Sequence, residues 1–128
     1  MTAERYSRVA VVDDTADARR LVMRILQSQG GAYTLFEAEN GKEAIDLAKR
    51  ERLDLMILDL MMPGVDGFSV LDALKADPQT ADIPVIVVTA KELTSEEKSR
   101  LQGRIHSLMQ KGEFMNDDLM DEVRALLS

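Results

Sequence analysis

Asp59 ends the apolar run Leu55-Met56-Ile57-Leu58 and is followed at once by Leu60-Met61-Met62-Pro63-Gly64. A charge at the end of a buried strand is costly unless partners hold it there. The pattern recurs along the chain. The acidic pair Asp13-Asp14 ends Val9-Ala10-Val11-Val12, Thr89 ends the run from Pro84 to Val88, and Lys111 follows the run from Ile105 to Gln110. Three carboxylates brought together repel one another unless a cation joins them. All-oxygen, carboxylate-rich sites suit hard divalent ions, and Mg²⁺ takes one or two carboxylates with waters and phosphate oxygens. The −3 of the acids is balanced by one Mg²⁺ and the Lys111 ammonium. Such a site can exchange waters for a phosphoryl group. Asp13, Asp14 and Asp59 are the metal-binding carboxylates, and the Met61 backbone carbonyl can complete the shell. Asp59 is also the carboxylate placed to act as nucleophile, since aspartyl phosphates are a known covalent outcome. Lys111 offers a point charge for phosphate oxygens and Thr89 a hydroxyl donor. Positioning and charge neutralisation make up most of phosphoryl-transfer catalysis, so little else is required.

Convergence of these residues needs a fold that gathers strand ends. The chain alternates short apolar runs with helical periodicity. Val9–Asp13 reads as a strand, and Thr15–Gln29 as a helix with Ala18, Leu21, Val22, Ile25 and Leu26 on one stripe, stopped by Gly30-Gly31. Tyr33–Ala38 is the second strand. Asn40 and Glu43 form a capping box for a helix carrying Ala44, Ile45, Leu47 and Ala48. Asp54–Asp59, apolar on both faces, suits a central parallel strand. The turn cluster from Met62 to Gly67 leads to a helix with Phe68, Val70, Leu71 and Leu74, ended by Asp77-Pro78. Pro84–Thr89 is the fourth strand. Thr94 and Glu97 cap the fourth helix, which Gly103 ends, Ile105–Gln110 is an edge strand, and Asn116–Leu127 is the last helix. Alternating β-α units imply an α/β fold: a doubly wound, five-stranded parallel sheet with helices on both faces. The flavodoxin-like order 2-1-3-4-5 sets strands one and three side by side and puts a ligand at their carboxyl ends.

The 128 residues suit one domain, residues 1–128 with a core of about 8–127. There are no cysteines, which excludes disulfides and thiolate metal sites. A formal net charge of −7 argues against sequence-independent nucleic-acid binding, which needs a basic footprint. The start, Met1-Thr2-Ala3-Glu4-Arg5, holds no apolar signal core, and no apolar run is long enough to cross a bilayer. A cytoplasmic protein without membrane insertion is the expectation. Lys91, Lys98, Arg100, Arg104, His106 and Lys111 fall in one stretch, read as a solvated face rather than a docking surface.

Taken in order on those elements, Val11-Val12-Asp13-Asp14, the segment from Leu58 to Gly67, Val88-Thr89-Ala90 and Lys111 resemble the receiver domain of two-component response regulators, from roughly Arg8 to Leu127. The resemblance implies that Asp59 accepts a phosphoryl group from a histidine kinase or histidine phosphotransfer protein, with Mg²⁺ (or Mn²⁺) held by the acidic pair. It implies that Thr89 and Lys111 read the phosphoryl group and shift the face of the fourth and fifth helices and fifth strand toward a downstream protein target. A receiver is not an enzyme apart from catalysing its own phosphorylation and dephosphorylation. The chain departs from the family where Gly112 stands in place of proline after the lysine and where Leu108 replaces the usual aromatic residue. Lysine-glycine endings resemble receivers attached to sensor kinases. No output domain is expected after the last helix.

Blander readings apply to single residues. Asp66-Gly67 reads as a cap for the third helix, Leu108 as packing and His106 as a surface residue. Two alternatives stand beside the receiver. A Mg²⁺-dependent aspartyl-phosphate phosphohydrolase of the haloacid dehalogenase type would carry an acid two positions after the nucleophile, where Met61 stands. A receiver-like scaffold that is not phosphorylated would not need the acidic set with Lys111.

Overall fold

The computed structural model describes residues 6–28, 32–90, 92–112 and 115–127, with side chains of the last range from 117 onward. The glycine stop at Gly30-Gly31, Lys91, Phe114 and the first five residues lie outside the described residues.

Elements alternate as expected: β1 (Ser7–Val12), α1 (Ala16–Ser28), β2 (Tyr33–Ala38), α2 (Gly41–Arg50), β3 (Leu55–Leu58), α3 (Gly67–Ala76), β4 (Val85–Thr89), α4 (Ser95–Leu101), β5 (Ser107–Gln110) and α5 (Met115–Leu127). All pairings are parallel and the strand order is β2-β1-β3-β4-β5. The period of two along each strand splits the core into two layers. Ala10, Val12, Met56, Leu58, Val85 and Val87 face α2, α3 and α4. Val9, Val11, Leu55, Ile57, Ile86 and Val88 face α1 and α5. Full burial on both sides explains why β3 and β4 are continuous apolar runs.

Helix starts follow their caps. Asn40 accepts from Glu43 N–H at 2.8 Å, and Asp66 accepts from Ser69 N–H at 2.9 Å. Thr94 and Glu97 form the reciprocal capping box. The Glu43 carboxylate instead bonds the Glu39 N–H at 3.2 Å, so the expected box at Asn40 is displaced by one residue. Gly103 ends the α4 segment at φ +78°, a conformation that glycine adopts without a Cβ clash.

Leu21 departs from the expected stripe. Val22, Ile25 and Leu26 of α1 are buried, but Leu21 is 44% exposed. One residue turns a helix by about 100°, which rotates Leu21 past the edge of the buried stripe. Leu108 also departs: at the β5 edge its side chain is 39% exposed and lines a groove with Lys98, Leu101 and Ile105. Four described residues of the basic stretch turn to separate partners. Arg100 stacks 4.2 Å over the Phe68 ring, Arg104 pairs with Asp72 at 2.5 Å, His106 meets Glu122 at 2.9 Å, and Lys111 turns inward.

Candidate functional site

The sheet ladder delivers the acids. Val12 pairs with Leu58, and the Asp59 N–H extends that pairing to the Val12 carbonyl at 3.0 Å. On the other side of β1 the Asp13 N–H bonds the Ala38 carbonyl at 3.1 Å. Asp13 and Asp59 therefore leave adjacent strands at the same level, each only 5% exposed. Asp14, the next residue, is exposed. One oxygen from each of Asp13, Asp14 and Asp59 lies within 4.8 Å of the others.

Lys111 reaches this cluster from β5. Its N–H bonds the Thr89 carbonyl at 3.1 Å, continuing the β4–β5 ladder past Gln110. Its Nζ donates to Asp13 Oδ2 at 2.6 Å and Asp59 Oδ2 at 3.1 Å. Burial pulls the ammonium pKa down, but the hydrogen bonds and charges of Asp13 and Asp59 outweigh burial and raise it above 10.5. The ion pair thus keeps the lysine charged.

The remaining oxygens are held by local backbone. Thr15 N–H donates to Asp13 Oδ1 at 2.9 Å, and Met61 N–H donates to Asp59 Oδ1 at 3.0 Å. These turns fix the Oδ1 of each carboxylate by backbone N–H, while Lys111 takes each Oδ2. Gly67 permits the turn after Asp59: a Cβ there would stand 2.6 Å from Leu60 Cα and 2.8 Å from the Asp59 carbonyl oxygen. Thr89 is fully buried at the end of β4, Met61 is 53% exposed, and Met62 is buried in the layer beneath.

The donor set fits a hard divalent cation. It is all oxygen, and three acids against one ammonium leave −2 for a +2 ion. Both buried carboxylates accept one hydrogen bond per oxygen, which leaves lone pairs for a metal, and Asp14 is open to solvent.

Residues 9–124 match the response regulator receiver domain. The chain belongs to that family. Receiver domains are the regulatory modules of two-component systems. The chain is 42% identical over 103 residues to the transcriptional regulatory protein ResD of Bacillus subtilis, covering 80% of this chain and 40% of that protein. It is 35% identical over 86 residues to PilH of Pseudomonas aeruginosa, covering 67% and 69%. It spans half or less of the length of curated relatives such as ResD and the response regulator MprA. Among solved structures, the receiver domain of a signal transduction histidine kinase from Syntrophus aciditrophicus superposes with a TM-score of 0.82 at 28% identity, over 94% of this chain and 89% of that one. The receiver domain of a sensor histidine kinase from Pseudomonas aeruginosa PAO1 shares the fold (TM-score 0.82, 23% identity, 95% and 98% covered) and holds a magnesium ion in its active site cleft.

The receiver's four strand-end positions were legible as residues. Arg19 and Glu37 were not. Arg19 Nη1 donates to the Asp13 carbonyl at 2.6 Å and its Nε to Glu37 Oε1 at 3.0 Å. The available signal was Glu37 itself, an acid interrupting the apolar run of β2.

Proposed function

We propose that this receiver accepts a phosphoryl group on Asp59 from a phosphohistidine of a histidine kinase or phosphotransfer protein, and that this controls binding of a downstream protein. The observation that carries the reading is the Lys111 ammonium bridging Asp13 and Asp59 beside Asp14.

A carboxylate oxygen of Asp59 attacks phosphorus. The O–P bond forms as the N–P bond breaks, and the electron pair leaves on the imidazole nitrogen. Asp13, Asp14, Asp59 and the Met61 carbonyl would hold Mg²⁺ or Mn²⁺, which when bound supplies positive charge to the phosphoryl oxygens. Lys111 moves from carboxylate to phosphoryl oxygen, and Thr89 donates its hydroxyl to another. Water then attacks phosphorus, the Asp59 O–P bond breaks with its electron pair returning to the carboxylate, and inorganic phosphate leaves. The chain thus catalyses its own phosphorylation and dephosphorylation without turning over a separate substrate.

Lys111 follows β5 directly, and its N–H bond to Thr89 ties the end of β5 to β4. A lysine drawn toward the phosphoryl group therefore pulls on the face of α4, β5 and α5. The exposed Leu108, in the groove with Lys98, Leu101 and Ile105, takes the place of an aromatic on that face. Residues 8–127 act as one receiver unit in the cytoplasm. Among the described residues no helix is long and apolar enough to cross a membrane.

Intact-mass measurement after incubation with acetyl phosphate and Mg²⁺ tests the reading. One phosphoryl is gained by the wild-type chain and none by Asp59→Ala. Undiminished labelling of Asp59→Ala would place the nucleophile elsewhere.

A further inference from the structure

We propose that Arg19 is a positioning residue for the divalent cation, holding the backbone that presents Asp13 and Asp14. The proposal rests on the metal-binding reading of those acids.

β1 ends at Val12, so the Asp13 carbonyl lies beyond the last paired residue of the β1–β2 and β1–β3 ladders. A buried carbonyl left without a donor is destabilising, so its partner matters. That partner comes from α1. The Arg19 side chain is only 12% exposed, which is unusual for a guanidinium. It reaches two groups at once: Nη1 to the Asp13 carbonyl at 2.6 Å and Nε to Glu37 Oε1 at 3.0 Å. Arg19 is itself seated by its own N–H on the Thr15 carbonyl at 3.1 Å, and the Thr15 N–H holds Asp13 Oδ1 at 2.9 Å. The first turn of α1 therefore grips Asp13 at both its carbonyl and its carboxylate. Lys111 takes the remaining carboxylate oxygen and the Ala38 carbonyl takes the N–H.

The plane of the Asp13-Asp14 peptide contains that carbonyl, so fixing it fixes where the Asp14 side chain departs. Asp14 is exposed, and the peptide plane sets the position of the Cα from which its carboxylate reaches the cluster. Glu37 neutralises the guanidinium, and the contribution is one of geometry more than of charge. Lysine could donate to the carbonyl or to Glu37, but it lacks the fork that spans both.

Mn²⁺ affinity, read from the electron paramagnetic resonance of the free ion, tests the proposal on wild type, Arg19→Met and Arg19→Lys. Far-UV circular dichroism checks that each variant is folded. Losing an outer-shell partner weakens metal binding by about 10- to 100-fold. Arg19→Met is expected to lose about tenfold at least, and Arg19→Lys an intermediate amount, while both remain folded. Wild-type affinity in either folded variant overturns the proposal, even where the urea midpoint has fallen, because a purely structural arginine would move stability alone. If Arg19→Met does not fold, Arg19→Lys decides the matter by the same criterion. Absence of Mn²⁺ binding by the wild type would overturn the metal site itself and this inference with it.

Discussion

Replacing Lys111 by methionine keeps the length of the side chain and removes the cation that contacts both buried acids. The two contacts are 2.6 and 3.1 Å, and Asp13 and Asp59 are each 5% exposed. Coulomb attraction at an effective dielectric of about 20 is about 5–6 kcal/mol per contact, and the desolvation of the three charges offsets much of it. What the variant loses is larger than the net value of the pair, because two facing carboxylates stay buried without a counter-charge. Breaking a buried pair costs about 3–5 kcal/mol. The Lys111 side chain keeps 27% exposure, so water screens part of the loss and about 3 kcal/mol is expected. In a domain of this size that lowers the melting temperature by about 10 °C. Total stabilities of about 5–15 kcal/mol leave the variant folded. Urea unfolding followed by far-UV circular dichroism suits a chain with no tryptophan and two tyrosines. In metal-free buffer the gap between wild type and Lys111→Met should be largest. Added Mg²⁺ should narrow it, since the divalent ion supplies the missing charge and no longer competes with an ammonium. The pH dependence has a definite sign. The folded-state pKa of Lys111 is raised, so its contribution is fully present below 10.5 and is lost as pH rises through the higher folded-state value. Arg20, paired with Asp17 on the surface at 66% and 91% exposure, is the internal control: Arg20→Met should change stability by less than about 0.5 kcal/mol. A gap under about 1 kcal/mol for Lys111→Met in metal-free buffer, or one that Mg²⁺ does not narrow, would refute the account of these charges.

Gly67→Ala forces a Cβ to within 2.6 Å of Leu60 Cα and should cost about 1–3 kcal/mol in the same unfolding assay. It should also slow labelling by acetyl phosphate, because the turn that aims Met61 N–H at Asp59 must shift. Thr94→Ala removes one half of the capping box at α4 and should lower stability by about 1 kcal/mol, while Thr94→Ser retains most of it. Met61 is exposed at the mouth of the site, two residues after Asp59. Lys91 stands two residues after Thr89 in the sequence, and long side chains at both positions are expected to slow water attack. Met61→Asn combined with Lys91→Ala should therefore shorten the lifetime of the acyl phosphate severalfold, measured as decay of the phosphorylated mass, and an unchanged lifetime removes them as the barrier. Chelation of divalent ions should lower the midpoint of wild type, since a ligand present at 100 times its dissociation constant adds about 2.7 kcal/mol.

Sequence patterning alone determined the order of the ten elements, the five-stranded parallel sheet and the four strand ends that carry the site. Those properties are local. A run such as Leu55–Leu58 is buried on both faces wherever it sits in a parallel sheet, and polar residues that end such runs meet at the carboxyl edge once the strand order is set. Tertiary structure decided which atoms meet. Lys111 is 98 residues from Asp13 and 52 from Asp59, and only the strand registers bring its ammonium onto one oxygen of each. The burial of Asp13 against the exposure of Asp14 depends on which way the chain turns after β1. Leu21 is exposed because helix rotation, not composition, sets the edge of a buried stripe. Glu43 bonds Glu39 rather than Asn40, since a flexible carboxylate takes whichever N–H the backbone turns toward it. The grip of Arg19 on the Asp13 carbonyl needs α1 to lie across the ends of β1 and β2 at one particular rotation. Periodicity is a property of neighbours in the chain, whereas a hydrogen bond between distant side chains depends on register and rotation that only the packed molecule fixes.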